Sequence, residues 1–130
     1  MKILVGYNGS EVAKAALAQA KNYAKTFDAL VHVVTSLEGG SGETIEEISA
    51  AAENLKFAQD YLERDGVRCK TEQLVRGLTP GDDLVKFANE NEIDHLFVGI
   101  EKKSKTRKML LGSTAQFVIL KAPCPVTSVK

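Results

Sequence analysis

The 130-residue sequence contains no tryptophan, only two cysteines and two histidines, and its 17 Lys and Arg residues are balanced by 17 Asp and Glu residues. Cys69 and Cys124 are too few and too far apart for a disulfide framework or a zinc site, so we expect free thiols that pack as small hydrophobic side chains. A formal net charge of zero argues against a general binder of nucleic acids or anionic membranes. Any electrostatic attraction must therefore come from a local patch.

Long apolar segments are also missing from the sequence. Only three apolar residues separate Lys2 from Gly6, which is too short for a signal peptide, and no later apolar run approaches about 18 residues. The sequence therefore predicts a cytoplasmic protein that has no membrane partner. A chain of this length buries about two-thirds of its unfolded surface, so we expect one domain covering residues 1–130.

Several motifs that carry catalysis or bind cofactors are absent from the sequence. It has no GxxxxGKS/T, HExxH or GxSxG pattern, and no GxGxxG follows the first apolar segment. His32 and His95 lie in apolar segments, and we expect core or strand-end histidines with satisfied hydrogen bonds. The acidic pairs at 46–47 and 82–83 fall in the first turns of predicted helices, where negative charge interacts favourably with the helix dipole. No catalytic or metal-binding set is predicted.

Short apolar segments alternate along the chain with longer segments of helical periodicity. KILVG (2–6), ALVHVVTS (29–36) and DHLFVG (94–99) are typical of buried strands, whereas VRCKTEQLVR (67–76) and the final PVTSVK indicate edge strands. Strict alternation predicts an α/β fold with parallel strands, right-handed crossovers and helices on both faces of the sheet. Ligands bind such sheets beyond the carboxyl ends of the strands, where the strand order reverses direction.

The predicted helices are bounded by recognisable caps. Ser10 and Thr79 are expected N-caps, and Asp82 occupies the capping-box position three residues after Thr79. The fourth helix is expected to begin near Ser113, whose hydroxyl would cap it, and to end at about Lys121.

One loop departs from the neutral composition of the rest of the chain. Five Lys and Arg residues lie between Gly99 and Gly112, and Ser113 and Thr114 follow at the start of the fourth predicted helix. The unpaired N–H groups and the dipole of a helix N-terminus form an anion site, to which these side chains would add. Phosphate binding and a solvated basic loop are both compatible with these residues. Contact with RNA or lipid is disfavoured, because the loop has no aromatic residues for base stacking. The basic residues are Lys102, Lys103, Lys105, Arg107 and Lys108.

Three segments of the chain resemble the universal stress protein family. They are the opening ILVGYNGS, the VHVV of the second strand and the long segment FVGIEKKSKTRKMLLGSTAQFVILKAPCPV. The family pattern is glycine, two residues, glycine, nine residues and then Gly-Ser or Gly-Thr, and Gly99, Lys102 and Gly112 with Ser113 occupy these positions here. The resemblance covers essentially the whole chain, and it implies an open five-stranded parallel sheet in the order 3-2-1-4-5.

The same resemblance implies a function. It suggests a stress-response protein that binds ATP or a related adenine nucleotide, with or without Mg²⁺, and that is regulatory rather than a fast enzyme. In nucleotide-binding members the ends of the first two strands hold the adenosine, and the glycine-rich motif holds the phosphates. The matching positions in this chain are Gly6, Asn8, Val33, Val98, Gly99, Lys102, Lys103, Gly112, Ser113 and Thr114.

Two of these positions depart from the family pattern and suggest a second function. Asn8 replaces the usual Asp, which removes a charge-assisted hydrogen bond, and Lys102 replaces the second motif glycine. The alternative is therefore a nucleotide-free, dimeric protein-interaction module that has the same fold. Family members commonly dimerise through the last strand, so the resemblance implies a homodimer through Val126–Lys130, together with an unidentified protein partner. The opposite expectation is a monomer whose edge is protected by Pro125 and Lys130.

Overall fold

A computed structural model describes residues 1–39, 42–101 and 112–130 of the chain. Within these ranges, five strands alternate with four helices. The bounds are β1 (Lys2–Gly6), α1 (Glu11–Phe27), β2 (Leu30–Leu37), α2 (Ile45–Arg64), β3 (Cys69–Val75), α3 (Pro80–Glu90), β4 (His95–Gly99), α4 (Ser113–Lys121) and β5 (Val126–Val129). The predicted site residues Lys102 and Lys103, and the other basic residues of their loop, lie outside the described residues.

All five strands form one parallel sheet in the order β3-β2-β1-β4-β5. This confirms the α/β fold class and the strand order, and it places the more polar strands β3 and β5 at the edges. β1 is central, and its Leu4 is in register with His32 of β2 on one side and with Leu96 of β4 on the other. The order reverses direction between β1 and β4, so the loops that follow these two strands border a crevice.

The sheet separates two apolar cores, because alternate residues of a strand point to opposite faces. Val5 and Phe97 pack on the face covered by α1 and α2, whereas Leu4 and Leu96 pack on the face covered by α3 and α4. Helices therefore cover both faces, as the apolar strands predicted. Full burial of each such side chain stabilises the fold by about 1.5–3 kcal/mol relative to exposure.

Two of the predicted N-caps are confirmed. The Ser10 hydroxyl accepts a hydrogen bond from the backbone N–H of Ala13 at 3.2 Å, and the Thr79 hydroxyl accepts one from the backbone N–H of Asp82 at 3.4 Å. The capping box predicted at α3 differs in one contact, because the Asp82 side chain bonds to the hydroxyl of Thr79 rather than to its backbone N–H. The Asp82 carboxylate accepts a hydrogen bond from the Thr79 hydroxyl at 2.8 Å, so the side chains bond to one another.

The predicted cap of α4 is wrong. Gly112 is the N-cap and Ser113 is the first helical residue, so no side chain of the described residues caps this helix. The physical reason is that glycine has no side-chain oxygen to accept from the first-turn N–H groups. These donors and the Ser113 hydroxyl are therefore left for another acceptor.

The two histidines differ in their hydrogen bonding. His95 Nε2 shares a hydrogen bond of 2.7 Å with the hydroxyl of Thr127, as expected of a satisfied strand-end histidine. His32 is only 9% exposed and packs edge-on against Phe87, but its Nε2 has no hydrogen-bond partner among the described residues. The expectation of a satisfied core histidine is therefore wrong for His32, because the core on that face is apolar. Burial lowers the pKa of both imidazoles.

The two cysteines are free thiols and are partly buried, as the sequence predicted. Burial raises the pKa of both Cys69 and Cys124. No helix in the described ranges is long and apolar enough to span a bilayer. The same ranges contain no group of three or more His, Cys, Asp or Glu side chains that could hold a metal ion.

Candidate functional site

A pocket of about 270 Å³ opens at the carboxyl ends of β1, β2 and β4. Pro80 and Leu84 of α3 form part of its wall, and the first residues of α4 form another part. The pocket lies where the reversal of strand order creates a crevice. Its volume is slightly below the roughly 300–1,000 Å³ that is common for small-molecule sites.

Seven of the ten predicted site residues line this pocket. Lys102 and Lys103 lie outside the described residues, and Val33 lies elsewhere in the fold. The sequence therefore located the pocket from loops that are about 90 residues apart in the chain. The seven residues are Gly6, Asn8, Val98, Gly99, Gly112, Ser113 and Thr114.

The predicted β2 site residue, Val33, is wrong, because residues further along the strand line the pocket instead. Val33 is fully buried in the core beneath α1 and α2, and the β2 residues that line the pocket are Val34, Thr35 and Ser36. The reason lies in the register, because Gly6 at the end of β1 pairs with Val34 and the rest of β2 extends beyond β1. The change from apolar to hydroxyl side chains at Thr35 was the sequence signal for this position.

Two glycines, Gly6 and Gly99, lie on the pocket floor, and packing against backbone atoms requires glycine at Gly99. A Cβ atom on Gly99 would lie 2.7 Å from the backbone C and O atoms of Val12 and 3.0 Å from the backbone N of Ala13. Glycine at this position therefore lets the first turn of α1 contact the end of β4. A Cβ atom on Gly6 would lie 2.9 Å from a methyl group of Leu84. Both residues also keep the floor of the pocket free of side chains.

The β2 end of the pocket presents hydrogen-bond acceptors. The Thr35 hydroxyl donates to the backbone carbonyl of Tyr7 at 2.6 Å, and the Ser36 hydroxyl donates to the Asp83 carboxylate at 2.7 Å. A hydroxyl has one proton and two lone pairs. Because each proton is already engaged, these two side chains can offer only lone pairs to a ligand.

A buried ion pair behind this wall fixes the Ser36 hydroxyl. Asp83 is 0% exposed, and its Oδ1 accepts a hydrogen bond from Arg76 Nε at 2.7 Å and lies 2.6 Å from Arg76 Nη2 in an ion pair. Arg76 also donates to the Glu90 carboxylate at 2.6 Å. The position of Asp83 in the first turn of α3 predicted only an interaction with the helix dipole, and nothing in the sequence pattern indicated that Arg76 contacts α3.

A second acidic group lies at the mouth of the pocket. Asn8 Nδ2 donates to Glu101 Oε1 at 2.7 Å, and Asn8 Oδ1 accepts from the backbone N–H of Ser10 at 3.1 Å. Among the described residues that line the pocket, Glu101 has the only charged side chain. Sequence reasoning missed Glu101, because its partner Asn8 is 93 residues away in the chain.

The α4 end of the pocket presents hydrogen-bond donors. The helix begins with the bond from the Gln116 N–H to the Gly112 carbonyl at 3.1 Å, so the N–H groups before Gln116 have no acceptor within the helix. The Ser113 and Thr114 hydroxyls line the same part of the pocket. The pocket therefore suits a ligand that has an anionic group at one end and hydroxyl or amino groups at the other.

Comparison with known proteins gives consistent results for sequence and fold. The sequence model of the universal stress protein family matches residues 1–130. Universal stress protein MJ0531 of Methanocaldococcus jannaschii is 35% identical over 140 residues, which cover 99% of this chain and 81% of that protein. A solved universal stress protein from Archaeoglobus fulgidus has a TM-score of 0.89 and 37% identity, covering 100% of this chain and 93% of that one. A solved universal stress protein from the same organism, in complex with dAMP, has a TM-score of 0.84 and 33% identity, covering 99% and 96%.

Proposed function

The chain belongs to the universal stress protein family, and on that premise we propose that it is a stress-response protein that binds an adenine nucleotide. The observation that carries this proposal is the polarity of the pocket, where α4 presents donors and the strand ends present acceptors. The dAMP bound to the Archaeoglobus fulgidus relative, which is 33% identical, supports the ligand class.

The two ends of the pocket suggest how a nucleotide would be oriented. The phosphate would accept hydrogen bonds from the first-turn N–H groups of α4 and from the hydroxyls of Ser113 and Thr114. The nucleoside would occupy the part of the pocket between the ends of β1 and β2. We extend the proposal to ATP with Mg²⁺, whose further phosphates would need the positive charge of the predicted site residues Lys102 and Lys103.

We propose a regulatory role in the cytoplasm, and we expect any hydrolysis of ATP to be slow. Ordinary enzymes turn over at about 1 s⁻¹ or faster. Release of phosphate from ATP, measured over hours with purified protein, should stay below that rate. A faster turnover would contradict the regulatory role while leaving nucleotide binding intact.

Nucleotide binding is tested by introducing a negative charge at the start of α4. Ser113 is exposed and is the first helical residue, so an Asp there interacts favourably with the helix dipole and should preserve the fold. The wild type should be stabilised by about 2.7 kcal/mol at AMP or ATP concentrations 100 times the dissociation constant. For a chain of this size, that corresponds to a rise of the order of 10 °C in Tm.

Two variants at the same position serve as test and control. Ser113→Asp should lose the nucleotide-dependent rise in Tm because its carboxylate repels the phosphate, whereas the neutral Ser113→Asn should keep most of it. Calorimetric titration should give the same ranking. No rise in the wild type at millimolar nucleotide, with or without Mg²⁺, would overturn the proposal and favour the nucleotide-free interaction module.

A second proposal concerns the edge strand. We propose a homodimer formed through Val126–Lys130, which both the nucleotide-binding protein and the alternative module would share. Ile119 and Leu120 of the adjacent α4 are 43% and 72% exposed. The Pro125 carbonyl accepts a hydrogen bond from Leu96 of β4, and the Val129 carbonyl accepts one from Ile100, the residue after β4. By alternation, the backbone groups of Ser128 face away from the sheet.

The dimer is tested at Ser128, which is exposed on this edge. Ser128→Pro removes an outward N–H group without removing a hydrogen bond to β4. Sedimentation should give a dimer for the wild type and for Ser128→Ala, and a species closer to the monomer for Ser128→Pro. A wild type that sediments as a monomer at every concentration would contradict the dimer.

A further inference from the structure

The contact between Asn8 and Glu101 joins the two loops that border the pocket. Asn8 follows β1 and Glu101 follows β4, and the amide donates to the carboxylate at 2.7 Å. Because β1 and β4 are neighbours in the sheet, this contact lies at the point where the strand order reverses. Both side chains line the pocket, so the contact forms part of the surface that a ligand would meet.

Asn8 has little capacity left for recognising a ligand. Its side-chain oxygen accepts from the backbone N–H of Ser10 at 3.1 Å, and one of its two amide protons is engaged by Glu101. Its backbone carbonyl accepts from Asn54 Nδ2 at 3.3 Å. Hydrogen bonds therefore fix both the side-chain amide and the backbone carbonyl of Asn8. Its main effect on the pocket is to orient the carboxylate of Glu101.

Glu101 has the acceptor capacity that Asn8 lacks. A carboxylate has about four lone-pair sites on its two oxygens, and Asn8 engages one oxygen, Oε1. The structure therefore combines a charged acceptor, partly exposed within the pocket, with an amide that fixes its position. Hydrogen bonds to such a group are roughly twice as strong as those between neutral partners.

We propose that Glu101, positioned by Asn8, recognises the sugar hydroxyls of the bound nucleotide. The inference rests on the proposed nucleotide binding and adds the residue that reads the sugar. A ribose presents two neighbouring hydroxyl donors, and one carboxylate can accept hydrogen bonds from both. With its phosphate at the donor end on α4, the nucleotide would present its sugar hydroxyls to the Glu101 carboxylate.

The experiment compares AMP with 2′,3′-dideoxy-AMP by calorimetric titration of the full chain. The wild type should bind AMP at least about tenfold more tightly, since one charge-assisted hydrogen bond contributes about 1.5–3 kcal/mol. Glu101→Gln keeps the shape and the contact with Asn8 but loses the charge. It should weaken AMP binding about tenfold, leave the dideoxy ligand unchanged and bring the two affinities together.

Asn8→Ala tests the positioning role. It should reduce the preference for AMP over the dideoxy ligand, while the affinity for the dideoxy ligand itself stays the same. A variant that weakened both ligands equally would show a general structural effect and would contradict the role of Asn8.

The outcomes separate this inference from the proposed function. A wild type that binds neither ligand overturns nucleotide binding, and the role of Glu101 fails with it. A wild type that binds both ligands equally overturns the sugar-reading role alone. Equal weakening of both ligands by Glu101→Gln also overturns it, because the carboxylate would then act on the base or on the fold.

Discussion

Two carboxylates next to the same pocket, Asp83 and Glu101, are held in opposite ways. Asp83 is completely buried and accepts hydrogen bonds from both Arg76 and Ser36. Glu101 is partly exposed and, among the described residues, accepts from the amide of Asn8. The comparison shows that a buried carboxylate with a full set of hydrogen-bond partners stabilises the fold. A carboxylate exposed within a pocket has acceptor sites that remain available to a ligand.

The largest expected effect comes from removing the partner of the buried carboxylate. Arg76→Met leaves the charge of Asp83 without its cation in an interior site, and such a loss destabilises a protein by about 3–5 kcal/mol. Chemical denaturation of the variant should show this decrease in the free energy of unfolding. Thermal unfolding should show a Tm lower by more than about 10 °C.

A second substitution tests whether the uncompensated charge is the cause. Arg76→Met combined with Asp83→Asn keeps the shape of the side chain and removes its charge, so it should recover at least half of the lost stability. If the double variant were as unstable as the single one, lost packing of the arginine would explain the result better than charge.

An intermediate effect is expected at Gly99, where the crowded atoms are backbone rather than side chain. Gly99→Ala places a methyl group 2.7 Å from the backbone of Val12, and overpacking of this kind costs about 1–3 kcal/mol. Gly42→Ala is the matched control, since among the described residues its new Cβ atom would come no closer than 4.0 Å, to the Gly39 carbonyl. Denaturant unfolding should give a loss for Gly99→Ala and a change within about 0.5 kcal/mol for Gly42→Ala.

The fold was largely predictable from the sequence, because each element carries its own pattern. Buried strands have continuous apolar runs, edge strands are more polar, and the strand order followed from the family resemblance. The roles of Asp83 and Glu101 were not predictable, because their partners lie in other elements. Ser36 is 47 residues from Asp83, and Asn8 is 93 residues from Glu101. The family resemblance indicated several of the residues that line the pocket, but not the Glu101 carboxylate or the β2 hydroxyls that contribute to its polarity.

His32 sharpens the comparison, because it is buried like Asp83 but lacks a partner for its Nε2 among the described residues. Burial, followed by the charges of Lys70 and Lys2, lowers its pKa below the ordinary value of about 6.5. The unfolded chain therefore takes up a proton more readily than the folded one. The contribution of His32 to stability is complete above about pH 6.5 and is lost as the pH falls from there through the folded pKa.

The measurement is thermal unfolding of the wild type and of His32→Leu at several values between pH 7.5 and 5. The wild type should lose stability on acidification, and the variant should lose less. Some dependence should persist in the variant, since burial also lowers the pKa of His95. Identical pH profiles for the two proteins would show that His32 does not contribute.

The smallest expected effect on stability is at Glu101, in direct contrast to Asp83. Glu101→Gln should change the free energy of unfolding by no more than about 0.5 kcal/mol, as is usual for substitutions outside the core. Denaturant unfolding without ligand checks this, and it provides the baseline for the nucleotide titrations. A loss comparable to that of Arg76→Met would make Glu101 a structural residue and would remove the contrast between the two carboxylates.

The ion pair of Asp83 and Arg76 also has a consequence for the speed of association. It joins the residue after β3 to the first turn of α3 and, through Ser36, to the end of β2. The two elements that line this side of the pocket, β2 and α3, are therefore tied together and to the end of β3. This side of the pocket is therefore ordered when the chain folds. The free energy of ligand binding then does not include the conformational entropy cost of ordering this wall. We expect the encounter with this wall to be limited by diffusion and orientation rather than by rearrangement.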